Sequence, residues 1–356
     1  MSVLPPLPER IARVASAEFP PQPQDSPSIG WAILGAGGIA RKFTKDVKLA
    51  GSVVVAVGSR TADKAEAFAA ENDVPFYGTY KDVLSRDDVD AVYVATTHNF
   101  HLEAVLEAIA AGKPVLVEKP IVRNSAELRR LRAAAEKANV LVMEAMWSRF
   151  LPHYAMIRAL LDSGELGKVR FVRAEFNANL RGIDRLENPE LAGGAALDLG
   201  VYPASFIHWV LGKPLTITAR GRLTDRGVDA LAVAVFDYPE AHAVYESSMD
   251  MATANAALIS CEKGWIELPF NFYRPSELRV VWNDQAQKGS PSERHEEAWD
   301  ETAIADSGFE YQAAAFARAL KAGLTEVPGH GWDEAADVIA TLDAIRQQVG
   351  VVFPGE

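Results

Sequence analysis

Gly35-Ala36-Gly37-Gly38-Ile39-Ala40 matches the pattern G-x-G-x-x-G/A, with Ala40 in the place of the third glycine. A glycine triplet alone is an ordinary turn. Here it follows an apolar run and opens a helical pattern, the setting in which such a loop holds a dinucleotide pyrophosphate. Gly35 permits the tight turn, Gly37 lets backbone N–H groups reach the phosphates, and Ala40 lets the helix pack close to the strand. Ala36, Gly38 and Ile39 belong to the same cradle, where the helix N-terminus adds partial positive charge. About 20–25 residues further on, NAD-preferring sites carry an acidic residue for the ribose hydroxyls. This chain has Gly58-Ser59-Arg60 there. A carboxylate would repel a 2′-phosphate, whereas Ser59 can donate a hydrogen bond to it and Arg60 can pair with it or stack on adenine. The expected cofactor is NADP(H), with NAD as the alternative.

Two other segments carry groups suited to moving protons. Glu118-Lys119-Pro120 directly follows an apolar run. In a parallel sheet the crevice beyond the strand carboxyl ends holds the ligand, so this tripeptide is expected where a nicotinamide would lie. Much later, Gly193-Gly194-Ala195-Ala196-Leu197-Asp198-Leu199-Gly200-Val201-Tyr202-Pro203 sets Asp198 and Tyr202 four apart, on one face of a helix. The 7 histidines show no metal-ligand spacing, and the single cysteine, Cys261, forms neither an intrachain disulfide nor a cysteine-based zinc site. No metal is expected.

These groups need a scaffold, and the apolar runs supply it. Strands are predicted at 30–34, 53–57, 74–77, 91–95, 114–117 and 140–143, alternating with helices at 39–49, 61–72, 101–111 and 125–138. All but the short third run are continuously apolar, as in parallel strands covered on both faces. That order predicts a Rossmann-type, doubly wound parallel sheet, an α/β domain over residues 29–150. Beyond it a helix at 152–162 leads to strands at 168–177, 215–223, 230–238, 242–250, 264–268 and 277–283, several of them alternating. Helices at 309–322 and 332–348 close the chain. Residues 151–356 are therefore expected to form an α+β substrate and oligomerisation domain with a large open, mostly antiparallel sheet, its last helices free to pack back on the first domain. Residues 1–28 hold 7 of the 20 prolines and read as an extended arm or disordered leader.

A chain of 356 residues, about half hydrophobic and a quarter charged, has material for a sizeable core. With 36 Lys+Arg against 48 Asp+Glu the net charge is −12, which disfavours nucleic acid and anionic membranes as partners. The excess is uneven: residues 29–150 hold 16 basic and 15 acidic side chains, residues 151–356 hold 18 and 30. Arg41, Lys42, Lys45 and Lys48, behind the glycine loop, are expected near the cofactor phosphates. No apolar run approaches the ~18–20 residues of a membrane span. The stretch before Ala15-Ser16-Ala17 is broken by prolines and charges, so no signal peptide is expected. One cysteine is consistent with a reducing compartment, and the chain is read as cytoplasmic.

The glycine fingerprint, Glu-Lys-Pro and Gly-Gly-x-x-x-Asp-x-Gly-x-Tyr together, in this order and spacing, resemble the glucose–fructose oxidoreductase / inositol dehydrogenase (GFO/IDH/MocA) family from about residue 29 to near the C-terminus. Ser59-Arg60 and Glu144-Ala145-Met146-Trp147-Ser148-Arg149-Phe150 look most like its dimeric dihydrodiol dehydrogenase and NADP-dependent xylose dehydrogenase branch. The resemblance implies hydride transfer between a nicotinamide and a hydroxyl-bearing carbon of a sugar, anhydrosugar or cyclic diol. It implies that Lys119 is the active-site lysine, that Pro120 follows a cis bond, and that Tyr202 is the acid/base group. Asp198 contacts substrate or orients the pair. Glu118 and Lys119, with Thr96, Thr97, Asn99 and His101 after the fourth strand, run past the nicotinamide ribose. Trp147, Arg149 and Phe150 after the sixth strand, with Phe176, Asn177 and Tyr273 from the second domain, are candidates for the substrate wall. Relatives of this kind associate through the open sheet, so a homodimer or homotetramer is expected. Two other readings remain: a cofactor-binding sensor without catalysis, and a redox-assisted glycosidase holding NAD tightly.

Overall fold

The computed structural model describes residues 5–15, 20–283, 294–302 and 308–356. What is expected of residues 1–4 and 16–19 of the arm lies outside them. In chain order a short helix α1 (Glu9–Ala15) precedes β1 (Gly30–Leu34), α2 (Gly38–Asp46), β2 (Val53–Gly58), α3 (Ala62–Asn72), β3 (Tyr77–Gly78), α4 (Tyr80–Leu84), β4 (Ala91–Val94), α5 (His101–Ala110), β5 (Val115–Glu118), α6 (Ser125–Ala138) and β6 (Val142–Ala145). There follow α7 (Pro152–Asp162), β7 (Val169–Asn177), α8 (Asp184–Glu187), α9 (Ala195–Asp198), α10 (Val201–Leu211), β8 (Thr216–Leu223), β9 (Asp229–Asp237), β10 (His242–Ser248), β11 (Ala257–Cys261), β12 (Gly264–Leu268), β13 (Glu277–Asn283), β14 (Arg294–Asp300), α11 (Phe309–Lys321) and α12 (Trp332–Val349). The chain divides into two compact units, Pro21–Arg149 with Ser307–Ile339, and Met1–Pro20 with Phe150–Asp306 and Ala340–Glu356.

The first unit holds a six-stranded parallel sheet in the order β3-β2-β1-β4-β5-β6. The order reverses between β1 and β4, which is the switch point where α/β sheets bind ligands beyond their carboxyl ends. β1, β4, β5 and β6 are buried along their whole length. The third strand lies at Tyr77–Gly78 rather than 74–77. The core under the glycine loop is aromatic: Trp31 meets Phe43 edge-on at 5.2 Å, Phe43 stacks on Tyr93 at 3.8 Å, and Phe316 of α11 lies 5.1 Å from Trp31.

The second unit holds an eight-stranded sheet, β14-β13-β12-β11-β7-β10-β9-β8. Its one parallel pair is β7 with β10; the other neighbours are antiparallel. α10, apolar nearly all round and buried, lies against β7 and β10. β11 and β14 have no counterpart among the predicted strands. β14 buries only Trp299 among seven residues rich in charge, the composition of an edge strand that resists further pairing.

Part of the arm departs from the extended leader expected of it. Ile11 and Ala15, one turn apart, are buried, and the Arg10 guanidinium lies 4.5 Å over the Trp282 ring of β13. Glu297 of β14 accepts the backbone N–H groups of Arg10 and Ile11, both at 2.9 Å, satisfying donors that a helix start leaves open. A seven-residue helix is too short to show a period, and it forms here because the sheet edge supplies its cap.

Candidate active site

In the first unit the cofactor candidates leave the carboxyl ends of the parallel strands. Gly35 has φ +110°, and a Cβ there would stand 2.6 Å from the Ala95 carbonyl oxygen. Only glycine lets β1 turn this close to the loop after β4. At Gly37 and Gly38 a Cβ would meet nothing within 4 Å, so this stretch faces open space at the start of α2. The first turn of α2 carries no acidic side chain. Ala40 is fully buried. After β2, Ser59 is buried and Arg60 stacks 3.9 Å from the Phe100 ring centre. The stack covers one face of the guanidinium and leaves its N–H edge unobstructed by the ring.

The loop after β4 supplies a buried Thr96 hydroxyl oxygen with no partner. Thr97 donates to Asn99 at 2.8 Å. Open space before the glycines, an uncompensated helix start and an unpartnered Thr96 hydroxyl fit a nicotinamide dinucleotide. His101 departs from its expected role: it is fully buried, with Nδ1 2.8 Å from the Pro120 carbonyl and Nε2 3.2 Å from that of Thr96. Burial foremost pushes its pKa down to about 3. The neutral ring has one N–H, which the shorter approach assigns to Nδ1. His101 ties two loops together and offers no ring nitrogen to a ligand. Of the basic residues behind the loop, Arg41 pairs with Glu71 at 2.9 Å and Lys42 lies 5.5 Å from the Phe309 ring, so these two are committed within the protein.

Lys119 follows β5, and its bond to Pro120 is cis. Glu118 is buried, accepts the Tyr93 hydroxyl and takes the Lys119 N–H at 3.2 Å, so its carboxylate serves the loop that carries the lysine. The Ile121 N–H goes to Glu144 at 2.9 Å. After β6, Trp147 is buried edge-on to Phe309 at 4.7 Å, and Arg149 donates to the Gly329 carbonyl at 3.1 Å.

In the second unit Tyr202 lies in an aromatic cluster, 5.4 Å from Phe176 and 5.1 Å from Tyr273, which themselves stack at 4.1 Å. Asp198 and Tyr202 do not share one helix. Asp198 ends α9, and α10 begins at Val201 after a break at Leu199-Gly200. A Cβ on Gly200 would stand 1.7 Å from the Tyr245 hydroxyl, so the break runs where the backbone crosses that side chain. Arg185 of α8 grips both Asp198 oxygens, at 3.1 and 3.3 Å. Asn177 donates to Glu246 at 2.8 Å and Thr253 at 3.1 Å. Nothing in the sequence singled out Arg185. Glu144 did leave a signal, an acid ending a buried strand, because such a group must be paired.

Asp229 lies beneath α9 and accepts the Ala196 N–H at 2.6 Å. Burial foremost pushes its pKa up to about 7, against its backbone donors and the Arg346 guanidinium. The folded value exceeds the unfolded one, so its contribution to stability is full below about pH 4 and lost as pH rises through about 7. Asp229→Asn should flatten that part of the stability curve. Urea unfolding of both proteins at several pH values between 4 and 8 checks this, and an unchanged slope contradicts it.

Comparison with known proteins adds independent findings. A family model described as oxidoreductase family, NAD-binding Rossmann fold (GFO/IDH/MocA) matches residues 29–146, and the GFO/IDH/MocA C-terminal domain matches 154–267. The trans-1,2-dihydrobenzene-1,2-diol dehydrogenase of Xenopus tropicalis is 34% identical over 331 residues, 91% of this chain and 99% of that protein. Its Homo sapiens counterpart is 34% identical over 334 residues, 92% and 98% of the two chains. A 3-ketoreductase from Actinomadura kijaniata, solved with NADP and TDP-benzene, superposes with a TM-score of 0.77 at 26% identity over 92% of this chain and 99% of that one. No described helix is long and apolar enough to cross a membrane.

Proposed function

The chain belongs to the GFO/IDH/MocA oxidoreductase family and is an NAD(P)-dependent dehydrogenase or reductase acting at a CH–OH/C=O carbon, and we propose that it uses NADP(H) on a sugar, anhydrosugar or cyclic diol. One observation carries the cofactor choice: β2 ends in Ser59-Arg60, with no carboxylate and with the guanidinium stacked on Phe100. An ionised 2′-phosphate is favoured by that pair and would be repelled by the acid of an NAD site. The NADP in the solved ketoreductase is in keeping with this.

Gly35, Ala36, Gly37, Gly38 and Ile39 would hold the pyrophosphate, and Thr96, Thr97 and Asn99 the nicotinamide side. When bound, the nicotinamide supplies or accepts the hydride at its C4. The protein must then manage one proton on the substrate oxygen. A free tyrosine titrates near ~10, so it acts as a base at neutral pH only where its surroundings favour the phenolate. We assign Tyr202 to exchanging the proton and Lys119 to stabilising the substrate alkoxide. Asp198, held by Arg185, is assigned to orienting the substrate hydroxyls, with Trp147 and Arg149 of the first unit and Phe176 of the second as candidate substrate contacts. The likeness to the dihydrodiol dehydrogenases and the 3-ketoreductase favours a cyclic diol or the corresponding ketone.

The outer face of the eight-stranded sheet supports a homodimer or homotetramer, since Val233 and Val235 are 36% and 41% exposed there and Val235 pairs with Val244. The single cysteine supports a cytoplasmic setting. An NADP-linked screen of pentoses, hexoses, anhydrosugars and cyclic diols tests the function. Net NADPH formation with at least one of them is the expected result. Release of sugar without net cofactor change, or binding of NADP without turnover, overturns it.

A further inference from the structure

The stretch 119–121 is held by its backbone. The Lys119 N–H goes to Glu118, the Pro120 carbonyl to His101 and the Ile121 N–H to Glu144. Glu118 is supported in turn by the nearby Tyr93 hydroxyl, and Glu144 from much farther along the chain. The second Glu144 oxygen faces His330 Nε2 at 3.0 Å, and the two side chains are 2% and 1% exposed. His330 comes from a turn 186 residues away, closed by a bridge between Val327 and His330. The carbonyl of the preceding Gly329 takes Arg149, so this turn braces β6 at Glu144 and the segment after it at Arg149.

We propose that Glu144 and His330 are positioning residues for the reaction: His330 fixes Glu144, Glu144 fixes the Ile121 N–H, and the pair thereby sets where Lys119 stands. This rests on the reading that Lys119 works at the reacting oxygen. A buried carboxylate with one backbone donor keeps a rotational freedom that a second donor, from a rigid ring, removes. Displacement of a catalytic group by ~1 Å can cost ~10²-fold in rate, so the brace affects turnover even though neither residue touches substrate.

The test uses the full chain with NADP and trans-1,2-dihydrobenzene-1,2-diol or D-xylose, whichever turns over faster. His330→Ala should lower kcat by about 10–100-fold, leave the dissociation constant of NADPH within about 2-fold, and raise the deuterium isotope effect on kcat as hydride transfer becomes limiting. His330→Gln, which restores an N–H toward Glu144, should recover most of the loss. In a Lys119→Met background, His330→Ala should cost nothing further, because its effect passes through the lysine. Should the alanine variant not fold, His330→Phe makes the same comparison by filling the place of the ring with no N–H toward Glu144. Wild-type kcat in His330→Ala or, failing that, His330→Phe overturns the proposal, as does an equal loss with and without Lys119. Wild-type turnover in Lys119→Met alone is a different failure, that of the lysine reading itself.

Discussion

Lys119→Met should turn substrate over more slowly by a factor on the order of 10²–10⁴, and Tyr202→Phe by a similar factor. That corresponds to about 3–5 kcal/mol of transition-state stabilisation. Both substitutions are chosen to spare the scaffold. The Lys119 loop is held through backbone groups by Glu118, His101 and Glu144, so methionine keeps the anchors and loses only the ammonium. Phenylalanine at 202 keeps the ring against Phe176 and Tyr273 and loses only the hydroxyl. Steady-state kinetics with an NADPH fluorescence titration separates chemistry from binding: kcat should fall while the NADPH dissociation constant stays within a few-fold. Near-normal turnover in both variants would falsify the assignment of either group to the reacting oxygen.

Arg60→Ala should lower kcat/KM for NADP by about 10–100-fold and leave that for NAD nearly unchanged, since a charge-assisted hydrogen bond to the 2′-phosphate contributes about 1.5–3 kcal/mol. Ser59→Asp in addition should carry the preference across to NAD, because a buried carboxylate facing the 2′-phosphate repels it and suits a ribose hydroxyl. The guanidinium also stacks on Phe100, so Arg60→Lys should restore little: an ammonium keeps the charge but not the planar fork or the stack. The measurement is the ratio of kcat/KM for the two cofactors. A parent enzyme that prefers NAD, or a ratio that does not move in Arg60→Ala, defeats the cofactor assignment.

The parallel sheet could be read from the sequence because its strands are buried on both faces and so appear as continuous apolar runs. Its switch-point loops were legible because a tight turn at Gly35 and a ligand-facing Gly37 leave a local spacing. The eight-stranded sheet was legible where strands alternate and illegible at β14, whose charge is an edge-strand device that erases the alternation. Asp198 and Tyr202 were placed on one helix because their spacing permits it. The break at Gly200 is dictated by Tyr245, 45 positions away, which no local pattern can reveal. His101 shows the same limit from the other side. A histidine at a helix start, beside a presumed ligand loop, reads as a contact until its burial is known. The braces supplied by Arg185 and His330 are pairings between distant segments, and single-sequence spacing carries no trace of them.

The clamp of Glu297 on α1 also sets an order of events in synthesis. Arg10 leaves the ribosome 287 residues ahead of the carboxylate that caps its helix, an interval of roughly 15–60 s at about 5–20 residues per second. A seven-residue helix has no stability of its own over that time. Trp31 waits almost as long for Phe316, although the rest of its sheet is already made. The nascent Rossmann unit therefore carries an uncovered aromatic flank until α11 emerges, and a chain cut short before α11 would keep that flank exposed, as a surface for chaperones or for aggregation.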